Sequence, residues 1–423
     1  MSQFDDESDE ELCVDRLSDL SCDSDIKDHS ELESDNESDS EDIPLPTNFT
    51  RRTISSSSDE SEDEWSSTDE PPVLEDFMGR PGVTSNAAPE SLIDAVESFI
   101  KDDFFQYLVD ESNRYCYQNI ERFQTSRKTI KWRDITIAEM KKFLGLIILM
   151  GQVRKDKRDD YWSTDPCLET PFFPKITSKD RFRQIWAAWH FNNNEDITEE
   201  SGRLVKVIPI INYFSDKFIN VYKPKRNLSL DEGMIPWRGR LFFRVYNAGK
   251  LTKYGILVRI LSESDTGYIC NFETYAAQGL RLVETIQTVV SPFTGIWHHV
   301  YMDNYYNSVT DATQLLENKI RICGTIRKNR GLPPYLQKTC LNKGETIFRR
   351  KKDILLQVWQ SKRRVSLIST THSAEMQESH NIDRTTRQNN IKTNALIDYN
   401  KYMKGVDRAG QYLSYYSILT KNI

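Results

Sequence analysis

Long hydrophobic runs are missing from this 423-residue chain. No apolar stretch approaches the ~20 residues needed to cross a bilayer, and Leu144 to Met150, the longest, reads as a buried helix. The N-terminus has no basic patch followed by an apolar stretch, so it does not read as a secretory signal. Paired cysteines are also absent. The seven Cys (13, 22, 116, 167, 270, 323 and 340) form no CxxC. An odd, scattered set fits a reduced compartment and offers no zinc site. The six His show no HExxH spacing. Basic residues are nearly missing from the first 76 positions, where only Arg16, Lys27, Arg51 and Arg52 face 27 acids, a net charge of −23.

The remaining chain has the opposite balance. Residues 77–423 hold 52 Lys and Arg against 37 Asp and Glu, net +15. An overall charge of −8 thus hides an acidic tail on a basic body. A basic body suits a polyanion, and nucleic acid is the commonest. The tail carries 16 Ser among its carboxylates. It cannot bury enough apolar surface to offset chain entropy, which predicts disorder. Its Ser residues beside acids suit phosphorylation, and a merely solubilising role is the alternative. The tail and a linker with GRPG and AAP take up 1–88.

A helical region is expected over 89–226. SLIDAVESFIKDDFFQYLVDESNRYCYQNI has apolar residues at helical spacing. TIAEMKKFLGLIILMG carries a capping box, Thr136 and Glu139, with Gly151 at its stop. KDRFRQIWAAWHFNNN and PIINYFSDKFINVY read as two more helices. The period changes at Asn227. NLSLDEGM, GILVRILSES and TGYICNFETY read as strands, RLVETIQTVV as a helix, WHHVYMDNYYNS as a strand, VTDATQLLENKI as a helix and ICGTI as a strand. That order predicts a mixed α/β sheet over 227–335. Residues 336–390, with a hairpin ILLQVWQ–SKRR–VSLIST, read as an insertion. A last helix, LIDYNKYMKGVDRAGQYLSYY, falls in 391–423.

Three aspartates stand out. Asp231 ends the first expected strand, Asp303 ends the fourth, and Asp407 lies in the last helix. In a sheet ordered like that of RNase H the first and fourth strands are neighbours. Their carboxylates would meet at one sheet end, where a helix could add a third. Hard oxygen ligands so grouped suit Mg²⁺, and two such ions serve phosphoryl transfer. With 37 acids in the body, a coincidental trio is the competing reading. Basic residues flank the same end: Arg238, Arg240, Lys250, Lys253, Arg327, Lys328 and Arg330. They could hold DNA phosphates without reading sequence, or simply be solvated. Trp237 is a candidate for base stacking, with core packing the alternative. The runs RRKK (349–352) and SKRR (361–364) could serve in nuclear import.

NLSLDEGMIPWRGR, KYGI, VYMDNYYNS, CGTIRKNRGLP and DYNKYMKGVDRAGQ, with DDYWSTDP and KDRFRQIWAAWHFNNN ahead of them, together resemble the piggyBac transposase family. The resemblance runs in order over roughly residues 90–412. It implies an RNase H-like catalytic core with Asp231, Asp303 and Asp407 as catalytic and metal-binding residues, and two Mg²⁺ or Mn²⁺ ions. It also implies cleavage and rejoining of double-stranded DNA at TTAA through hairpin intermediates, and a nuclear location. The helical region would serve dimerisation and DNA binding in a homodimer. No membrane and no small-molecule substrate are implied. Two departures bear on activity. The family's further acid after the third aspartate is Gly410 here. Its basic helical stretch and cysteine-rich zinc domain, which follow the third aspartate, are not in this sequence. The alternative to an active enzyme is therefore a catalytically inactive, domesticated or truncated protein that binds DNA or chromatin.

Overall fold

The computed structural model describes residues 65–84, 89–124, 132–237, 239–248, 250, 252–277, 281–382 and 389–415. Of the tail and linker expected over residues 1–88, positions 1–64 and 85–88 lie outside them.

The helical region consists mainly of α1 (Leu92–Phe99), α2 (Asp102–Gln118), α3 (Ile137–Gln152), α4 (Lys179–Ala188) and α5 (Ile208–Val221). The capping box forms as expected: the Thr136 hydroxyl accepts from the Glu139 amide, and the Glu139 carboxylate accepts from the Thr136 amide. Glu139 also receives the buried Arg181 guanidinium through two bonds of 3.0 Å. This charge pair fixes α4 against the start of α3, above a core of Phe104, Leu108, Phe143, Tyr161 and Phe182. The first helical pattern divides at Ile100 and Lys101, giving two helices where the apolar spacing predicts one.

The sheet begins with β1 (Asn227–Pro236), β2 (Tyr254–Glu263) and β3 (Ile269–Thr274). After α6 (Leu282–Val290) come β4 (His298–Met302), α7 (Val309–Glu317) and β5 (Ile320–Thr325). The strands lie in the order β3-β2-β1-β4-β5. The first three pair antiparallel, while β1–β4 and β4–β5 pair parallel. This is the RNase H order expected from the sequence. Leu228, Leu230, Val300, Met302, Ile320 and Ile322 pack with Ile286, Val289 and Leu315 of the covering helices.

Residues 336–390, expected as an insertion, contain the expected hairpin. β6 (Thr346–Lys351), β7 (Ile354–Gln360) and β8 (Arg364–Ser369) form antiparallel pairs, and β8 joins β5 through Leu367–Ser369. They extend the central sheet, and Leu356, Val358 and Ile368 join its apolar core. A second hairpin, β9 (Met376–Ile382) with β10 (Asn389–Thr393), leads to α8 (Asn394–Tyr402) and α9 (Gly405–Tyr415).

Residues 65–84, expected as tail and linker, lie against this body. Trp65 packs on the sheet core, and Ser66 exchanges backbone bonds with Arg350 at 2.8 and 2.9 Å. Asp69 pairs with the Arg350 guanidinium at 2.6 Å, and Glu75 with that of Arg321, also at 2.6 Å. Both arginines are almost wholly buried. Gly82 and Val83 then pair with Tyr222 and Lys223. A buried cation needs a partner, and the acids of this strap supply it. Arg350 belongs to the RRKK run, so its guanidinium is turned inward, while Lys352 of the same run is exposed.

Candidate active site

Parallel pairing of β1 with β4 ends at Leu230 and Met302. Asp231 and Asp303 are the next residues on each strand, so both lie at the same sheet end. β1 itself runs on to Pro236, because its antiparallel pairing with β2 continues past the parallel partner. The turn after Asp303 is built by its own sequence. The Asp303 carboxylate accepts from the Tyr305 amide at 2.8 Å. Asn307 donates to the carbonyls of Met302, Asp303 and Thr325 at 2.8, 3.0 and 2.9 Å, stapling the turn to β5. Gly324 allows the close approach: a Cβ there would lie 2.5 Å from Asn307 Nδ2 and collide with the Met302 carbonyl.

The third aspartate arrives through a break in the last helix. The sequence predicts one helix, whereas the chain divides between Tyr402 and Gly405. Gly405 sits so close to β1 and β2 that a Cβ would run into Ser229 Oγ and lie 2.9 Å from the Glu263 carbonyl. Val406 packs on Val258 and Ile260, while the Arg408 guanidinium donates to the Ser264 carbonyl at 3.1 Å. These contacts hold the first turn of α9 on the β1–β2 face, with Asp407 exposed beside Val406. Gly410 lies one turn further on, exposed, with open space where a side chain would go.

Lys250 links the cluster. Its ammonium lies 3.3 Å from Asp231 Oδ2. Burial alone would lower its pKa, but the charges of Asp231, Glu232 and Asp407 hold it above the usual lysine value. Asp303 is pushed upward by burial and by the charge of Asp231. Glu232 is driven up to about 8 by burial, then by Asp231 and, less strongly, by Asp303, against the opposing hydrogen bond from Tyr306. The Tyr306 hydroxyl donates to Glu232 Oε1. Sequence reasoning missed Glu232 and Tyr306, although LDEGM and MDNYYNS contain both. It read Lys250 as a DNA contact or a solvated residue, whereas the structure pairs it with Asp231.

The donor set suits a hard divalent cation in its chemistry. It consists of carboxylates crowded enough to raise the pKa of two of them, and a divalent charge would relieve that crowding. As they stand, no three His, Cys, Asp or Glu among the described residues are grouped closely enough to hold an ion. Lys250 neutralises Asp231 in this arrangement.

Of the remaining expected residues, Arg327 bonds Asn304 Oδ1 at 2.9 Å and stacks on Tyr305. Arg330 reaches the Tyr305 carbonyl at 3.4 Å. Arg240, Lys253 and Lys328 are exposed. Arg238 lies outside the described residues. Trp237 is partly buried, and its ring lies where a Cβ on Gly239 would sit.

A mixed sheet in this order, with Asp231 and Asp303 directly after the last parallel-paired residues of its first and fourth strands, fits the fold of a transposase. A family model described as Transposase IS4 matches residues 93–423, and the chain belongs to that family. Its relatives are of the piggyBac type. Human piggyBac transposable element-derived protein 2 is 24% identical over 277 residues, covering 63% of this chain and 43% of that protein. Human piggyBac transposable element-derived protein 3 is 24% identical over 247 residues, covering 55% and 39%. The chain thus spans less than half the length of these relatives. Among solved structures, a piggyBac transposase synaptic complex with hairpin DNA matches with a TM-score of 0.68 and 22% identity, covering 81% of this chain and 72% of that one. That likeness confirms the fold.

Proposed function

We propose that this protein cleaves and joins double-stranded DNA at TTAA sites, in the nucleus and as a homodimer, through Asp231, Asp303 and Asp407. The observation that carries the reading is the shared end of β1 and β4, where Asp231 and Asp303 follow the last paired residues Leu230 and Met302. The seating of Gly405 against Ser229 and Glu263, two residues before Asp407, supports including Asp407. The family match and the DNA in the matching complex support the substrate class.

The reaction is phosphoryl transfer. Water attacks a backbone phosphorus, releasing a 3′-hydroxyl, and that hydroxyl then attacks the opposite strand or the target. Two Mg²⁺ or Mn²⁺ ions, when bound, would activate the nucleophile and stabilise the leaving oxygen. Asp231, Asp303 and Asp407 would hold them. The chain's own cations act on the DNA. Arg327, braced by Asn304 and Tyr305, presents a positive charge beside Asp303, where a backbone phosphate would lie. Exposed Arg240, Lys253 and Lys328 extend the basic surface, and contacts of this kind position a duplex without reading its sequence.

The test is Asp303→Asn. It removes one anionic ligand and keeps the shape of the turn, because Asn still offers an oxygen to the Tyr305 amide. Metal-dependent nicking of a TTAA duplex is expected to disappear while duplex binding persists. Equal nicking by the variant would overturn the assignment.

A further inference from the structure

We infer that Lys250 is a resident counter-ion of the carboxylate cluster, which a divalent ion must displace before the site is complete. The inference rests on the metal-dependent reading above and extends it to the order of assembly. Lys250 reaches Asp231 from the loop between the short strand Val245–Tyr246 and β2, a loop closed by the Asn247 amide on the Lys253 carbonyl at 2.8 Å. Its ammonium lies 3.3 Å from Asp231 Oδ2, within the fields of Glu232 and Asp407. The side chain is only 29% exposed and that of Asp231 16%, so water screens the pair weakly.

Two facts then fit together. The cluster has the donors for a divalent cation, yet no three are grouped to hold one. One aspartate already has a cation. An ion drawn to Asp231 meets a fixed positive charge at contact distance, and the two repel. Movement of the flexible lysine side chain relieves the repulsion, and the freed ammonium has a new partner in a backbone phosphate of the DNA. Lys250 is thus a positioning residue that neutralises Asp231 in the metal-free protein and moves to the phosphate when metal and DNA arrive. A lysine is suited to this exchange because its charge is compact and its four-carbon stem rotates freely.

The experiment is titration of the full 423-residue chain with Mn²⁺, followed by calorimetry and by the electron paramagnetic resonance of free Mn²⁺, without DNA. Lys250→Met removes the competing charge and keeps most of the stem. It is expected to bind Mn²⁺ roughly tenfold or more tightly than wild type, since a unit charge a few ångströms from a dication is worth at least that at a protein surface. Lys250→Arg keeps the charge and is expected to stay close to wild type. Asp231→Asn is expected to lose the binding. Thermal melts establish that each variant folds, and the Arg variant keeps the test decisive if the Met variant does not. Equal or weaker Mn²⁺ binding by Lys250→Met, with Asp231→Asn still abolishing it, overturns the inference and leaves the metal site standing. Tighter binding by Lys250→Arg also overturns it. No Mn²⁺ binding by any variant overturns both the inference and the metal-dependent reading.

Discussion

The strand that leads to Asp303 starts on a buried histidine, and that histidine should make the protein acid-sensitive in a calculable way. His298 is 1% exposed, between the rings of Phe77 and Phe293. Its Nδ1 lies 3.1 Å from the Arg226 carbonyl oxygen. A carbonyl only accepts, so Nδ1 carries the proton and Nε2 is left as a bare lone pair. Nε2 has no hydrogen-bond partner among the described residues. A second proton would place an unpaired charge in an apolar site. Burial therefore lowers the pKa to about 4, although the Arg226 carbonyl opposes the shift. The unfolded chain has the ordinary value near 6.5. Above that pH both states are neutral and the group has no effect. Between 6.5 and 4 the unfolded chain takes up a proton that the folded chain refuses, so stability falls as pH falls. From pH 7 to pH 5 the loss is about 2 kcal/mol. His298→Leu removes the titration, at the cost of a hydrogen bond whose loss does not vary with pH. Urea unfolding at pH 7, 6 and 5 measures the difference. Wild type should lose about 2 kcal/mol more than the variant across this range. Parallel pH profiles for the two proteins would refute the argument.

Two further outcomes follow from contacts elsewhere. Gly405→Ala puts a methyl group into Ser229 and the Glu263 carbonyl, so α9 must shift. A displacement of ~1 Å at a catalytic group costs on the order of 100-fold in rate. DNA nicking is expected to fall by that order, and Mn²⁺ affinity with it, while the melting curve stays cooperative; unchanged nicking and affinity would show that α9 does not position Asp407. Among the described residues, Asp69→Ala leaves the buried Arg350 guanidinium with the His372 and Asp353 carbonyls. It also strips the Ala374 amide of an acceptor 2.6 Å away. The expected cost is about 2 kcal/mol in urea unfolding, with new protease cleavage within residues 65–84. An unchanged midpoint would mean that the strap contributes nothing.

What could be read from the sequence depended on which forces leave a periodic trace. Strands such as HHVYM and IRICGT are buried along their whole length, and their apolar runs stop where the chemistry begins. Asp231 and Asp303 were therefore visible as acids ending apolar runs, and the strand order placed them together. The strap left no such trace. Residues 65–84 are acidic and poor in apolar groups, and their order comes from Arg321 and Arg350, more than 240 positions away. Composition judges a segment by its own burial, so it assigned this one to a disordered tail and linker. The same limit hid the break at Gly405. Helical periodicity continues straight through LIDYNKYMKGVDRAGQ, and only the proximity of Ser229 and Glu263 forces the chain to turn there. β6 to β8 were recognised in part as a hairpin but not as sheet members, because an antiparallel edge can be extended by any suitable strand.

Lys250 shows most clearly why residue type and position underdetermine role. A lysine near acids in a basic body fits a phosphate contact as well as an internal ion pair. The 3.3 Å approach of its ammonium to Asp231 Oδ2 shows the ion pair. Both roles are open to one flexible side chain at different stages of a reaction. The carboxylates need a cation whether or not metal is present, and a backbone phosphate needs one only when DNA arrives. A single lysine at their boundary can meet the two needs in turn, so the ion pair at Asp231 and the contact assigned from the sequence are compatible states of the same site.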